Sequence, residues 1–406
     1  MNRPKITMSN VKIEIGKKIK EYKVIEEPYP HIIVETNKEL HGWWHGKREC
    51  TGERLLINPY NGCSLDCIFC YTKGFNFGYF KTFFEQKIVT VCKDFDKNVA
   101  EQLDSINVAS CGYLSPVTDP FQTLNLKYKL SEKILREFVS RNIPIEFITK
   151  ERIPDEVIEL IKQQPHSFGQ VSILTLDENL RKILIPGGGA TTSELFDNLH
   201  KLSNANIHPV CRIDPILPFI TDKKQDLKDL IKASIDAGAN HIISSCLDIP
   251  KLIYDYLIQN IKQNFGNGVA YDYQRLYNES IDNYMNANIN YRKRLFCFLR
   301  EECDRQGISF ALCMEYELID GKPKGLNQEF MSSTNCEGID IPIYVRVGER
   351  FKLIVDCNGA CLNCKDAICG INDLAMGKEE NSKKDFKLKD YRRWSQMELE
   401  LSNIES

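Results

Sequence analysis

Six short apolar runs, separated by stretches of helical periodicity, constrain the fold more than any other feature of this sequence. They are RLLIN (54–58), INVASC (106–111), IPIEFIT (143–149), GQVSILT (169–175), IHPVCRI (207–213) and ANHIISSC (239–246). Between them lie segments such as LKYKLSEKILREFVSR and TTSELFDNLHKLSNA, whose apolar residues recur at helical spacing. Thr192 or Ser193 is expected to cap the second of these. Repeated strand–helix alternation implies parallel strands joined by crossover helices, so the expected class is α/β, either a doubly wound sheet or a barrel. No GxGxxG follows the first run, which argues against a dinucleotide-binding sheet. In a barrel the working residues gather at the C-terminal ends of strands. Cys63, Asp119, Lys150, Thr175 and Asp214 all fall at such ends.

The first strand end opens into NPYNGCSLDCIFCYTKGF (58–75), which sets Cys63, Cys67 and Cys70 close together. A disulfide uses two thiols, and a closed tetrahedral zinc site uses four ligands. Three thiols in one short loop point instead to a metal centre with one position left open. Thiolates are the usual ligands of iron–sulfur clusters, and this spacing lets one loop wrap a 4Fe-4S cube. A zinc site that borrows a distant fourth ligand is the alternative.

The wider composition matters here because of the thiols. The chain has 16 cysteines in 406 residues and a formal net charge of −3. The opening MNRPKITMSNVKIEIGKKIK is polar and mixed, and no apolar run reaches membrane-spanning length, so a cytoplasmic protein with no membrane partner is expected. A reducing compartment favours metal or redox roles for clustered cysteines over disulfides. The charge balance announces no global field for nucleic acid, although it averages away any local groove. The basic stretches YRKRLF, KKQDLKDLIK and KLKDYRRW read as solvated helix faces.

A second set of thiols, Cys357, Cys361, Cys364 and Cys369, lies in DCNGACLNCKDAIC, with Gly359 letting the loop curl. Four ligands in so short a loop suffice for a closed site, either a second iron–sulfur cluster or a structural zinc. Cys313 and Cys336 are spare candidates for the same site. The expected organisation is an N-terminal extension (1–53), a barrel (54–310), a cysteine-rich region (311–375) and a charged tail (376–406). In the extension, KIEIGKKIKEYKVIEE is expected to be a helix or an irregular arm. The adjacent Trp43 and Trp44, flanked by His41 and His45, are expected to pack that arm onto the barrel.

CSLDCIFC resembles the CxxxCxxC signature of the radical S-adenosylmethionine (radical SAM) enzymes, including the aromatic Phe69 before the last cysteine. The longer NPYNGCSLDCIFCYTKGF resembles the spore photoproduct lyase-like branch, also called DNA-repair photolyase-like, whose members carry NPYxGCxxxCxYCY. FEQKIVTVCKDF, SPVTDPFQ, ITKER, VSILTLDENLRKILIPGG, VCRIDPILP and FALCMEYEL…SSTNC resemble further segments of that branch in order, so the similarity covers residues 55–336. Two departures stand out. DPFQTLNL lacks the branch's glutamate, and Ile185-Pro186 stands where the branch has Glu-Pro.

The resemblance implies a partial (β/α)6 TIM-type barrel with an N-terminal arm and a C-terminal cysteine-rich metal-binding extension. It implies that Cys63, Cys67 and Cys70 hold a 4Fe-4S cluster whose open iron takes SAM. Reductive cleavage would then give a 5′-deoxyadenosyl radical that abstracts hydrogen from substrate. Phe69 would lie beside the adenine, Lys150 would meet the SAM carboxylate, and Ser172 would reach the ribose. Arg212 would be a further cofactor residue, and Asp119 a catalytic one. The lyases of the branch place a hydrogen-donating cysteine just before their SDP; this chain has none there, and Cys111 is the candidate donor. An electron donor such as flavodoxin or ferredoxin would be needed. The expected activity is repair or modification of nucleic acid. The alternatives are maturation of a peptide or small-molecule natural product, and a non-catalytic zinc-bound nucleic-acid-binding protein.

Overall fold

In a computed structural model, the described residues are 10–42, 54–354, 356–361, 363–375, 377–378 and 386–392. Trp43, Trp44 and His45, and most of the charged tail, lie outside them.

The core is one seven-stranded sheet. Its strands are β1 (Leu55–Ile57), β2 (Gly112–Leu114), β3 (Ile145–Thr149), β4 (Phe168–Ser172), β5 (Pro209–Ile216), β6 (His241–Cys246) and β7 (Ser309–Leu312). Each hydrogen-bonds to the next in chain order, and every pairing is parallel. β1 and β7 are the two edges of the sheet, so the barrel is partial. The strands are almost wholly buried, which is why they read as continuous apolar runs rather than as alternations.

The outer layer includes α1 (Leu130–Ser140), α2 (Thr192–Asn204), α3 (Lys224–Asp236) and α4 (Ile289–Gln306). Buried leucines line their inner faces: Leu135 on α1, Leu195, Leu199 and Leu202 on α2, and Leu227 and Leu230 on α3. α2 begins one residue earlier than its sequence suggests. Thr191 is the cap, and its side chain and that of Glu194 bond reciprocally to each other's backbone.

Three expectations need correction. Residues 10–23 form an antiparallel hairpin, Asn10–Ile15 against Lys18–Lys23, rather than a helix or an irregular arm. Val11 and Ile13 are buried on one face, and Gly16 supplies a left-handed turn with φ of 61°. INVASC is not the second barrel strand. Val108–Ala109 pairs instead with Tyr344–Val347 of the C-terminal region, and the barrel strand begins only at Gly112. The boundary expected at 310/311 falls inside β7. Among the described residues no helix is long and apolar enough to cross a membrane.

Candidate active site

The loop after β1 carries the three thiols and is held from three sides. From the β2 side, Gln122 accepts the Ser64 N–H at 3.0 Å and donates to the Gly62 carbonyl at 3.3 Å. From the β4 side, the Leu184 carbonyl accepts the Ile68 N–H at 3.0 Å, and Gly187 N–H donates to the Leu65 carbonyl at 2.9 Å. From the loop itself, Lys73 folds back. The residue is 1% exposed, and its Nζ donates to the Cys67 carbonyl at 2.6 Å and to Tyr256 Oη at 3.1 Å, and pairs with Asp66 Oδ1 at 3.0 Å. Burial opposes that charge, but Asp66 and Tyr256 outweigh it and raise the ammonium pKa.

The approach of the β4 side is close enough to demand glycine. A Cβ on Gly187 would stand 1.9 Å from the Ser64 carbonyl oxygen and 2.6 Å from Leu65 backbone atoms. Backbone cannot yield as a flexible side chain can, so Gly187→Ala must push the thiol loop or its neighbour aside. Overpacking of this kind costs about 1–3 kcal/mol. The expected result is a chain that folds but retains less iron and sulfide after desalting. Full iron retention with an unchanged visible spectrum would refute this close contact.

A cavity of about 530 Å³ opens beneath the thiols and runs into the barrel. Cys63, Cys67, Cys70 and Phe69 line it, together with Lys150, Ser172, Arg212 and Asp119. Five segments distant in sequence therefore converge on one space, as a barrel's strand ends should. Burial raises the Cys63 thiol well above its usual value and takes Cys67 up to about 12. Metal binding there must displace protons.

Asp119 is a hub rather than a free acid. Its carboxylate accepts the Lys150 N–H at 2.7 Å, the Phe121 N–H at 2.9 Å and the Thr149 hydroxyl at 3.0 Å. Burial still raises its pKa despite those bonds. Its geometry fixes the backbone that presents Lys150, whose ammonium makes no salt bridge among the described residues. The Ser172 hydroxyl is buried without a hydrogen-bond partner, as are those of Ser115 and Thr118, and all three residues line the cavity. Orphaned buried hydroxyls are costly, and an unpaired ammonium beside them calls for an anion. Three thiols, an ammonium without a salt bridge among the described residues and unsatisfied hydroxyls fit an iron–sulfur cluster carrying an amino acid–nucleoside ligand such as SAM.

Arg212 lines the same cavity, held by its own partners. Its guanidinium bonds Asp214 through Nε at 3.0 Å and through a second, shorter contact, and donates to Gln170 at 2.9 Å. Ser245 also donates to Asp214. Burial works against the Asp214 charge, but Arg212 and Ser245 prevail and hold the carboxyl below its usual range. Arg212 is thus paired within the cavity wall.

Cys111 does not line the cavity. It precedes β2, at the closed end of the barrel, and its thiol donates to the Gly112 carbonyl at 3.3 Å. The misplaced strand accounts for the misplaced thiol. Cys313 and Cys336, expected as spare ligands for the C-terminal loop, both line the cavity. Burial takes the Cys313 thiol up to about 11, moderated by Arg212. Sequence reasoning missed Lys73, Gln122, Gly187, Tyr71 and Tyr113 as site residues, although Tyr71 directly follows the last thiol, Lys73 stands two residues beyond that tyrosine, and Gln122 and Gly187 lie within family-like segments.

The C-terminal thiols form a separate group. Cys357, Cys364 and Cys369 are near enough for their charges to act on one another. The Ile343 N–H donates to Cys357 Sγ at 3.4 Å, and Gly359 (φ 73°) presses on the Ile341 backbone. Among the described residues, no three His, Cys, Asp or Glu side chains converge so as to hold one metal ion. The thiolates of a cube sit on different irons and need no common point.

Residues 57–232 match the family model of the Radical SAM superfamily. The radical SAM Nα-GlyT isomerase of Pseudomonas phage M6 is 25% identical over 380 residues, which span 88% of this chain and 78% of that protein. An uncharacterised protein of Methanocaldococcus jannaschii is 23% identical over 175 residues, 42% of this chain and 63% of the other. Among solved structures, spore photoproduct lyase complexed with dinucleoside spore photoproduct superposes with a TM-score of 0.51 at 12% identity, over 67% of this chain and 79% of that one. A doubly substituted form of the lyase with bound AdoMet and the same dinucleoside gives the same values.

Proposed function

With a radical SAM domain over residues 57–232 and the partial-barrel fold of spore photoproduct lyase, this chain is a radical SAM enzyme, and we propose that it rearranges or cleaves a nucleoside unit of a nucleic acid. A non-catalytic zinc-bound module is thereby set aside. The carrying observation is the single cavity in which the three thiols, Lys150 and Ser172 share walls with Arg212, Asp214 and Cys313. The substrate class is supported by the fold's solved representative, which holds a dinucleoside, and the reaction class by the phage relative, an isomerase.

When bound at the thiols, a 4Fe-4S cluster with SAM supplies one-electron cleavage of the sulfonium and a carbon radical able to take hydrogen. The chain's residues do the rest. Lys150 holds a carboxylate, with Asp119 fixing its backbone. The Ser172 hydroxyl meets a ribose, and Phe69 packs beside the base. The buried walls keep water from the reacting carbon. Arg212, tied to Asp214 and Gln170, presents a rigid polar face to the substrate at little reorganisation cost. We also assign Cys357, Cys361, Cys364 and Cys369 to a second iron–sulfur cluster, supported by the proximity of Cys357, Cys364 and Cys369 and by the N–H aimed at Cys357.

The test is the reduced, iron-reconstituted protein with SAM, assayed with single-stranded DNA, duplex DNA, RNA or a peptide pool. The expected result is SAM turnover that rises several-fold with one nucleic acid and an altered nucleoside in its digest. Stimulation by the peptide pool alone would overturn the substrate class.

A further inference from the structure

The segment that follows the three thiols is unusually rich in rings: Tyr71, Phe75, Phe77 and Phe80. They form a connected ladder. Tyr71 meets Phe75 edge-on with centroids 5.8 Å apart. Phe75 stacks on Phe77 at 5.8 Å with only 19° between planes. Phe80 braces both from the side, at 5.1 Å and 5.9 Å. The inner rungs, Tyr71 and Phe75, line the active-site cavity, and the Tyr71 hydroxyl is anchored to the Pro116 carbonyl at 3.0 Å. The outermost rung is out in solvent: Phe77 is 63% exposed.

A ring that merely completed a core would not end like this. Phe77 is held from behind by two other rings and offers its outer face to water. Apolar surface held rigid and open costs solvation and commonly marks a binding site. Rings prefer offset stacking partners, and an open face at the end of a near-parallel pair invites one more flat ring. The ladder leads out of the cavity that receives the reacting unit. Lys81 stands one helical turn from Phe77, half-exposed and only loosely paired with Glu85 at 3.9 Å.

We propose that Phe77 is a stacking platform for a nucleobase adjacent to the reacting nucleoside, so that the enzyme grips a single-stranded or locally opened nucleic acid rather than a free nucleoside. This rests on the nucleic-acid reading above. The occupant follows from the ladder's continuity with the cavity and from its geometry, which rewards a planar π-face of any sequence. Aromatic–base stacking is the general means by which proteins hold unpaired strands without reading sequence.

The test uses the full chain, reconstituted with iron and sulfide, and a labelled short single-stranded oligodeoxynucleotide followed by fluorescence anisotropy. Phe77→Ala is expected to weaken binding roughly five- to 150-fold, the range that loss of one base stack implies. Phe77→Leu should weaken it nearly as much, because leucine is apolar without being flat, whereas Phe77→Trp should bind at least as tightly as wild type. Iron content and SAM binding should stay at wild-type values in all three. If wild type binds the oligonucleotide and Phe77→Ala binds it equally, the platform is refuted while the nucleic-acid reading stands. If Phe77→Leu retains binding, the contact is merely apolar and a protein partner fits it better. If wild type binds no oligonucleotide, single- or double-stranded, the reading beneath fails and the platform with it.

Discussion

Cys67→Ala is expected to reduce 5′-deoxyadenosine formation to background, and Cys361→Ala to leave SAM cleavage measurable while lowering bound iron. The two thiols belong to different places. Cys67 lines the cavity, and its carbonyl is clamped by Lys73. Cys361 lies buried in the C-terminal loop, beyond the residues that line the cavity. Each variant should lose about four iron atoms per chain, one cube's worth. Lys73 should hold the backbone of the first loop in place when the Cys67 thiol is gone, so Cys67→Ala should fold and still lack activity. The measurements are iron and sulfide per chain, zinc by elemental analysis, and 5′-deoxyadenosine under strong reductant. A wild type holding one cube and one zinc would replace the second cluster with a zinc site. An active Cys67→Ala protein would end the assignment of the trio.

The relation between these two thiol sets bears on what a single sequence can reveal. The trio is a local signal: three ligands in one loop, legible without any fold. Lys150 was legible from its place at a strand end, since the strand ends of a barrel face one cavity, whereas Ser172 and Phe69 were pointed to by the family resemblance; all three line that cavity. Five of the six apolar runs overlap a barrel strand for the same reason: buried parallel strands leave a continuous apolar trace. The sixth failed through a long-range pairing. Val108 and Ala109 have the composition of a barrel strand, yet their hydrogen bonds go to Tyr344 and Val345, and no local pattern encodes a partner so far away. Cys111 was drawn into the site by that error. The roles of Gly187 and Gln122 were hidden for a related reason. Each matters because a distant loop lies against it, and such contacts exist only once the chain has folded. The N-terminal hairpin was misread because lysines obscured its alternation, although Val11 and Ile13 point inward two residues apart.

The closed end of the barrel supplies the other large effect, on stability. Arg54, just before β1, is fully buried. Its guanidinium reaches Glu337 at 2.5 Å, Glu146 at 3.4 Å and the Ser110 hydroxyl at 3.1 Å. Glu337 belongs to the segment that leads to the cysteine-rich loop, and its carbonyl meets His208 Nε2 at 3.2 Å. One cation thus serves two buried carboxyls and joins the C-terminal region to the barrel floor. Burial first, and the Glu337 charge second, push the Glu146 carboxyl well above its usual range. Arg54→Met is expected to cost about 3–5 kcal/mol, because it strands charge in the interior. The sign of its pH dependence follows from the same residues. Glu146 already has a folded-state value above its unfolded one, and losing the guanidinium removes the charge that opposes that rise, so the folded state binds more protons between those values and stability rises as pH falls. Urea unfolding should therefore show Arg54→Met well below wild type at neutral pH, with the gap narrowing in mild acid. Adding Glu337→Gln should recover part of the loss, since neighbours in one network are not additive. Equal urea midpoints for Arg54→Met and wild type at neutral pH would mean that the barrel floor is held by packing alone, and that the cysteine-rich region is tethered chiefly by the strand Tyr344–Val347.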